Sequence, residues 1–155
     1  MARARAVLIP GLIAVLGVSA GSCQKVKMKL GIGDKVTNPD PGTPEAVIQD
    51  VLRAASDPDE EAGWERFSAL LHSAEHDSPV ALNDWRTMKF PAIRKKAGYL
   101  LDDRSAFSFV IMDRREEPPS LILLVKNSQS DLPTPCKLRP DPNANNAWRV
   151  FNACF

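Results

Sequence analysis

His72, Glu75 and His76 fall in the order H-x-x-E-H. On a continuous helix this spacing sets two imidazoles on one face as zinc ligands, with the glutamate as general base. The helix cannot continue, because Asp77-Ser78-Pro79 follows at once and proline is tolerated only in a first helical turn. The expectation is therefore polar residues at a helix C-terminus, where a protonated histidine also suits the helix dipole. Cys136 and Cys154 have no neighbouring cysteine or histidine with which to complete four zinc ligands. No metal and no cofactor is expected.

Proton-transfer chemistry would need an Asp or His base and a tyrosine or second acid directed into one pocket. Tyr99 is the single tyrosine, and Asp84, Asp102, Asp103 and Asp113 are the carboxylates near it in sequence. Their spacing does not bring them together. Asp102-Asp103-Arg104 reads as a solvated turn, since aspartate hydrogen-bonds its own local backbone there. Neither a glycine-rich phosphate loop nor a nucleophile elbow is present. No catalytic residue is assigned.

The cysteines say more. Cys136 and Cys154 flank a turn-rich stretch, 140 to 146, and Asn145 is their midpoint. If residues 134 to 139 and 147 to 155 are antiparallel strands joined there, the two thiols lie opposite or nearly so. Opposed Cβ atoms stand about 4.5–5.5 Å apart and a disulfide needs about 3.5–4.5 Å, so a small local adjustment closes the bond. Enclosing about 17 residues, it would stabilise the fold by roughly 3 kcal/mol in the chain-entropy account.

Disulfides belong to oxidising compartments, and the N-terminus agrees. Arg3 and Arg5 precede an uncharged apolar stretch, 6 to 18, which is followed by Ser19, Ala20, Gly21 and Ser22. That is the order of a secretory signal. Pro10-Gly11 in its middle and the lack of a polar face argue against a buried core helix. Cys23 comes next, and Ala20-Gly21-Ser22-Cys23 resembles a bacterial lipobox, with Ala20 where that pattern usually has leucine. The resemblance implies lipidation of Cys23, which becomes the new N-terminus of a membrane-anchored protein. Cleavage after Ala20 by an ordinary signal peptidase is the alternative, leaving Cys23 a free thiol in a soluble periplasmic or secreted protein. Three cysteines are an odd number, and lipidating Cys23 leaves Cys136 and Cys154 as a pair.

The chain thus divides into a signal (1–22), a lipidated cysteine with a solvated tether (23–42) and one domain (43–155). Lys25, Lys27 and Lys29, then Gly31, Gly33, Pro39, Pro41 and Gly42, suit a tether. With 44% apolar and 25% charged residues, the chain is globular in composition. Of its 20 lysines and arginines, Arg3 and Arg5 lie in the signal, so 18 remain against 19 acids. This balance gives no electrostatic reason to expect nucleic acid as a partner.

Within the domain, helices come first and strands follow, the order of an α+β fold. Thr43-Pro44 starts a helix to about Ala55, with Val47, Ile48, Val51 and Leu52 on one face. Asp57, Pro58 and Glu60 read as a second start, before Trp64, Phe67, Leu70 and Leu71. Ser78-Pro79 begins a third helix burying Leu82 and Trp85, and Phe90-Pro91 and Gly98 interrupt the pattern after it. From Ser105 the period changes to two, with Phe107, Phe109 and Ile111 on one face, and residues 121 to 125 form an apolar, central return strand.

Helices followed by an antiparallel sheet that ends in Trp148-Arg149-Val150 resemble the ketosteroid-isomerase-like, or nuclear-transport-factor-two-like, fold, with a cystatin-like arrangement close in shape. The likeness covers 43 to 155 and extends to small bacterial lipoproteins with that domain. It implies N-terminal helices on a curved antiparallel sheet of about four strands, around a cone-shaped pocket used for ligands, catalysis or dimer contacts through the sheet. Trp64, Phe67, Trp85, Tyr99, Phe107, Phe109 and Trp148 are the candidate pocket lining. An exported binder of a small apolar ligand, peptide or envelope protein is favoured over an isomerase or dehydratase, because apolar candidates are many and convergent acids are not visible.

Overall fold

A computed structural model describes residues 32 to 155; the signal, Cys23 and the start of the tether lie outside the described residues. Helix α1 (Pro44–Ala55) begins as its sequence dictates. The Thr43 hydroxyl accepts from the Ala46 N–H at 3.3 Å, Pro44 fills the first turn, and Val47, Ile48, Val51 and Leu52 are buried. Helix α2 (Glu60–Ser68) is capped by Asp59 rather than Asp57, its carboxylate accepting from Glu61 and Ala62. Asp57 instead accepts from the Asp59 N–H in a local turn before the cap, the competing bond that aspartate offers ahead of a helix.

Helix α3 is a single turn (Ser73–His76), and α4 (Pro79–Asp84) starts at Ser78 as expected. A π-turn (Trp85–Lys89) then carries the chain without a break into α5 (Phe90–Leu100), which runs through Pro91 and Gly98 where interruptions were expected. Pro91 lacks an N–H and its ring crowds the preceding turn, and the wider π-turn immediately before it relieves that conflict.

The sheet has six antiparallel strands, not about four. Its order is β1 (Asp34–Val36), β3 (Ser108–Glu117), β4 (Ser120–Asn127), β5 (Ser130–Asp141) and β6 (Ala147–Cys154), with β2 (Leu101–Asp103) also on β3. The extra two are three-residue strands, too short to show a period. One lies in the stretch read as tether and the other in the Asp102-Asp103 turn. β4 is central, its core-facing Leu123 and Val125 fully buried and Leu124 on the other face nearly so. Phe107 is not part of β3; it stands before the strand with φ +49°.

The β5–β6 hairpin turns through Pro142–Ala144 and through Asn145 and Asn146, both left-handed, a conformation asparagine tolerates better than most residues. Leu138 pairs with Val150, whereas Cys136 pairs with Cys154, so the register slips by two residues on β6. That slip, around left-handed Asn152, sets the cysteines opposite each other, and they are joined.

Helices cover one face of the sheet. Phe67 stacks on Phe90 with ring centroids 4.8 Å apart and meets Trp85 at 5.5 Å and Trp64 at 6.0 Å. Phe109, Leu123, Leu138 and Val150 close the core from the sheet. No helix of the described residues is long and apolar enough to cross a membrane.

Candidate binding cleft

The core fills the space expected for a pocket. Trp64, Phe67, Trp85 and Phe109 are buried in it, and Trp148 packs partly against it. Tyr99 is 38% exposed. Phe107 alone of the seven candidates lines a described cleft, while Trp64, Phe67 and Trp85 meet one another and Phe90 in the core and Tyr99 stands exposed.

The cleft lies between the end of α1, α5 and the β2–β3 connection, with a volume of about 580 Å³. Arg94 and Lys95 enter it from α5, Arg104 from the connection, and Asp57 from the turn after α1; Leu101 and Phe107 supply apolar wall. Two glycines let the guanidinium groups come close. A Cβ on Gly63 would stand 3.0 Å from Arg94 Nη1 and 2.6 Å from the Ala54 carbonyl oxygen, and one on Gly98 would stand 3.0 Å from Arg104 Nη2.

Phe107 is held firmly. Buried Gln49 donates through Nε2 to the Phe107 carbonyl at 3.3 Å and to that of Ala106 at 3.4 Å, and the Arg53 guanidinium lies 5.7 Å from the ring centre. A left-handed phenylalanine costs of order 1–3 kcal/mol and persists only where its surroundings impose it, most often at functional positions. Among the described residues Arg94, Lys95 and Arg104 have no carboxylate partner, while Asp57 is paired with Arg66 at 2.8 Å. Arg94 Nη1 is buried with no hydrogen-bond partner among those residues. The run Arg94-Lys95-Lys96 was a legible signal, but Lys96 points elsewhere, donating to the Phe155 carbonyl at 2.7 Å.

The H-x-x-E-H residues do not converge on a metal. His72 precedes α3 and its Nδ1 accepts from the Ala74 N–H; Glu75 accepts from the Trp85 indole at 2.8 Å; His76 pairs with Asp77. The candidate carboxylates are likewise dispersed: Asp84 to Lys89, Asp102 to Lys35, Asp103 to Ser105 and Asp113 to Arg115.

A second polar cluster ties the sheet to the helices. Asp141, at the end of β5, accepts from the Ser73 N–H (2.8 Å), the Ser73 hydroxyl (2.9 Å) and the Asn143 N–H (2.9 Å). Burial opposes ionisation of this carboxyl most strongly, yet the bonds from Ser73 and Asn143, with His72 assisting, outweigh it and hold the group below its ordinary 3.8. A lowered carboxyl pKa contributes stability above that ordinary value and loses it as pH falls through the folded one. Asp141→Asn is therefore expected to cost about 1–3 kcal/mol at pH 7. The gap from the unsubstituted protein should close as pH drops below 3.8. Urea melts across pH check this, and a gap that persisted in acid would show that shape rather than charge matters at the site.

Compared with known protein families, curated proteins and solved structures, the chain matches none of them.

Proposed function

We propose that this is an exported, lipid-anchored protein of the bacterial cell envelope that works by binding, through its surface cleft, rather than by catalysis. The observation that carries the reading is the Cys136–Cys154 disulfide. Such a bond is at home outside the reducing cytoplasm, and it leaves Cys23 as the unpaired thiol directly after a signal-like leader. A domain with helices on one face of an antiparallel sheet suits the ketosteroid-isomerase-like or cystatin-like shape read from the element order, with the cone taken up by aromatic packing. Binding rather than proton transfer is supported by the dispersal of Asp84, Asp102, Asp103 and Asp113 to separate partners.

Mass spectrometry of the mature N-terminus, after expression of the full chain in a bacterium with an outer membrane, tests the anchor. A chain starting at Cys23 and carrying diacylglycerol is expected, and Cys23→Ala should move the protein out of the membrane fraction. A chain starting at Gly21 with an unmodified thiol would overturn the lipid anchor.

A further inference from the structure

We infer that the cleft between α1 and α5 binds a phosphate group carried on an apolar body, with Arg94, Lys95 and Arg104 receiving the phosphate and Leu101 and Phe107 the apolar part. The inference rests on the reading of this domain as a binder, and it adds the chemistry of what is bound.

Charge comes first. The cleft brings together three cations and one carboxylate, Asp57, whose own charge is answered by Arg66 at 2.8 Å. With Asp57 answered by Arg66, the charges of Arg94, Lys95 and Arg104 remain, a surplus that suits a phosphate monoester, which carries about −1.5 to −2 at neutral pH, better than a single carboxylate. Lys35, Arg53, Arg66, Arg86, Lys89, Arg114, Arg115 and Lys137 all lie in ion pairs. Among the described residues Arg94, Lys95 and Arg104 do not; Lys96, Lys126, Arg139 and Arg149 also lie outside ion pairs, but only the first three line this cleft together.

Desolvation points the same way. A buried guanidinium N–H with no acceptor costs free energy, and among the described residues Arg94 Nη1, packed beside Gly63 on a residue that lines the cleft, is such a group. Arginine presents its donors in a planar fork that matches phosphate oxygens two at a time, while lysine adds a point charge. Gly63 and Gly98 leave room for the two guanidinium groups, so the donors are placed before any ligand arrives.

The apolar half follows from Phe107. Gln49 holds its backbone carbonyl in a conformation that phenylalanine rarely adopts, and the Arg53 guanidinium lies over its ring. Together with Leu101 it gives an anion's carrier an apolar wall beside the charges. Two sources share this chemistry: a soluble aryl or alkyl phosphate, and the monoester headgroup of phosphatidic acid in the membrane that holds the anchor.

The test is titration of the mature, full-length protein in neutral detergent, followed by NMR of the arginine side-chain N–H signals and the Phe107 amide. The probes are phenyl phosphate, inorganic phosphate, benzoate and benzyl alcohol. Phenyl phosphate is expected to shift Arg94, Arg104 and Phe107 together, inorganic phosphate and benzoate to bind more weakly, and benzyl alcohol to leave the arginines unmoved. Lys95→Ala and Arg104→Ala, both at exposed positions, should each weaken phenyl phosphate by about tenfold, in line with loss of one charged hydrogen bond. Phe107→Gly, which relaxes the backbone, should weaken phenyl phosphate while leaving inorganic phosphate unchanged.

Vesicles distinguish the sources. Shifts at the cleft with phosphatidic acid but not phosphatidylcholine vesicles assign the ligand to the membrane, and shifts with dissolved phenyl phosphate alone assign it to solution. No shift at the cleft with either, or binding unaffected by both cation substitutions, overturns the inference. An N-terminus without lipid would leave this result standing, and a silent cleft would leave the anchor standing.

Discussion

Removing the disulfide, as Cys136→Ala/Cys154→Ala, is expected to lower stability by about 2–5 kcal/mol, the usual cost in small exported domains. Part of the cost is the freedom returned to the unfolded chain, whose loop spans a sequence separation of 18 residues. The remainder is local. Below Val150 the strand leaves its regular register, and Asn152 turns left-handed before Cys154 reaches Cys136. Outside the bond, this last segment is held by the Phe155 N–H donating to the Pro135 carbonyl and by Lys89 and Lys96 donating to the Asn152 and Phe155 carbonyls. Both lysines are exposed contacts, and surface contacts of this kind contribute little. Chemical denaturation with and without reductant checks the prediction. Reductant should lower the midpoint of the unsubstituted protein and leave that of the double variant where it is. Equal stability of the two proteins without reductant would mean that the bond closes a segment already held by packing.

Phe67→Ala is expected to cost about 3–5 kcal/mol, the range for truncating a fully buried phenylalanine. Phe67 is wholly inaccessible and touches Trp64, Trp85 and Phe90. Trp85 and Phe90 come from the continuous π-turn and α5, so the ring, itself on α2 beside Trp64, joins α2 to that helical run. Its removal opens a void that neighbouring rings cannot fill without leaving their rotamers. Thermal melts followed by tryptophan emission read both effects, because Trp64 and Trp85 line the new space. A loss below about 1 kcal/mol would show that the cluster repacks, and so that the interior is looser than the ring distances imply.

The elements differ in how far they could be read in advance. Helix α1 was legible to the residue, since Thr43, Pro44 and four apolar residues at helical spacing are all local signals. Strand β3 was legible from the two-residue period, β4 from its unbroken apolar run, and β6 with the cysteine pairing from the symmetry of a hairpin. Where two local signals competed, the reading slipped: Asp57 and Asp59 are both good caps, and only the turn between them decides. Pro91 stood as a breaker because proline breaks α-helices, but a π-turn supplies the space. Strands β1 and β2 were invisible because three residues carry no period and β3 provides their partner.

The candidate site was the least legible. Trp64, Phe67, Trp85 and Phe109 are buried while Tyr99 is exposed, and being apolar does not say whether a ring lines a cavity or fills one. Arg94, Arg104, Asp57 and Phe107 come from three separate segments, and nothing in their spacing announces that they meet.

By itself, then, the amino-acid sequence determined the class of the fold, the start of α1, the apolar stripes that became the core, and the partner of Cys136. Each follows from interactions within a few residues, or from a hairpin whose two strands are neighbours in sequence. The tertiary structure alone decided that the interior is packed rather than open, that β1 joins the sheet, and that three unpaired cations share a cleft with a left-handed phenylalanine. Those outcomes depend on contacts between distant segments, where shape and desolvation over the whole core outweigh local preference.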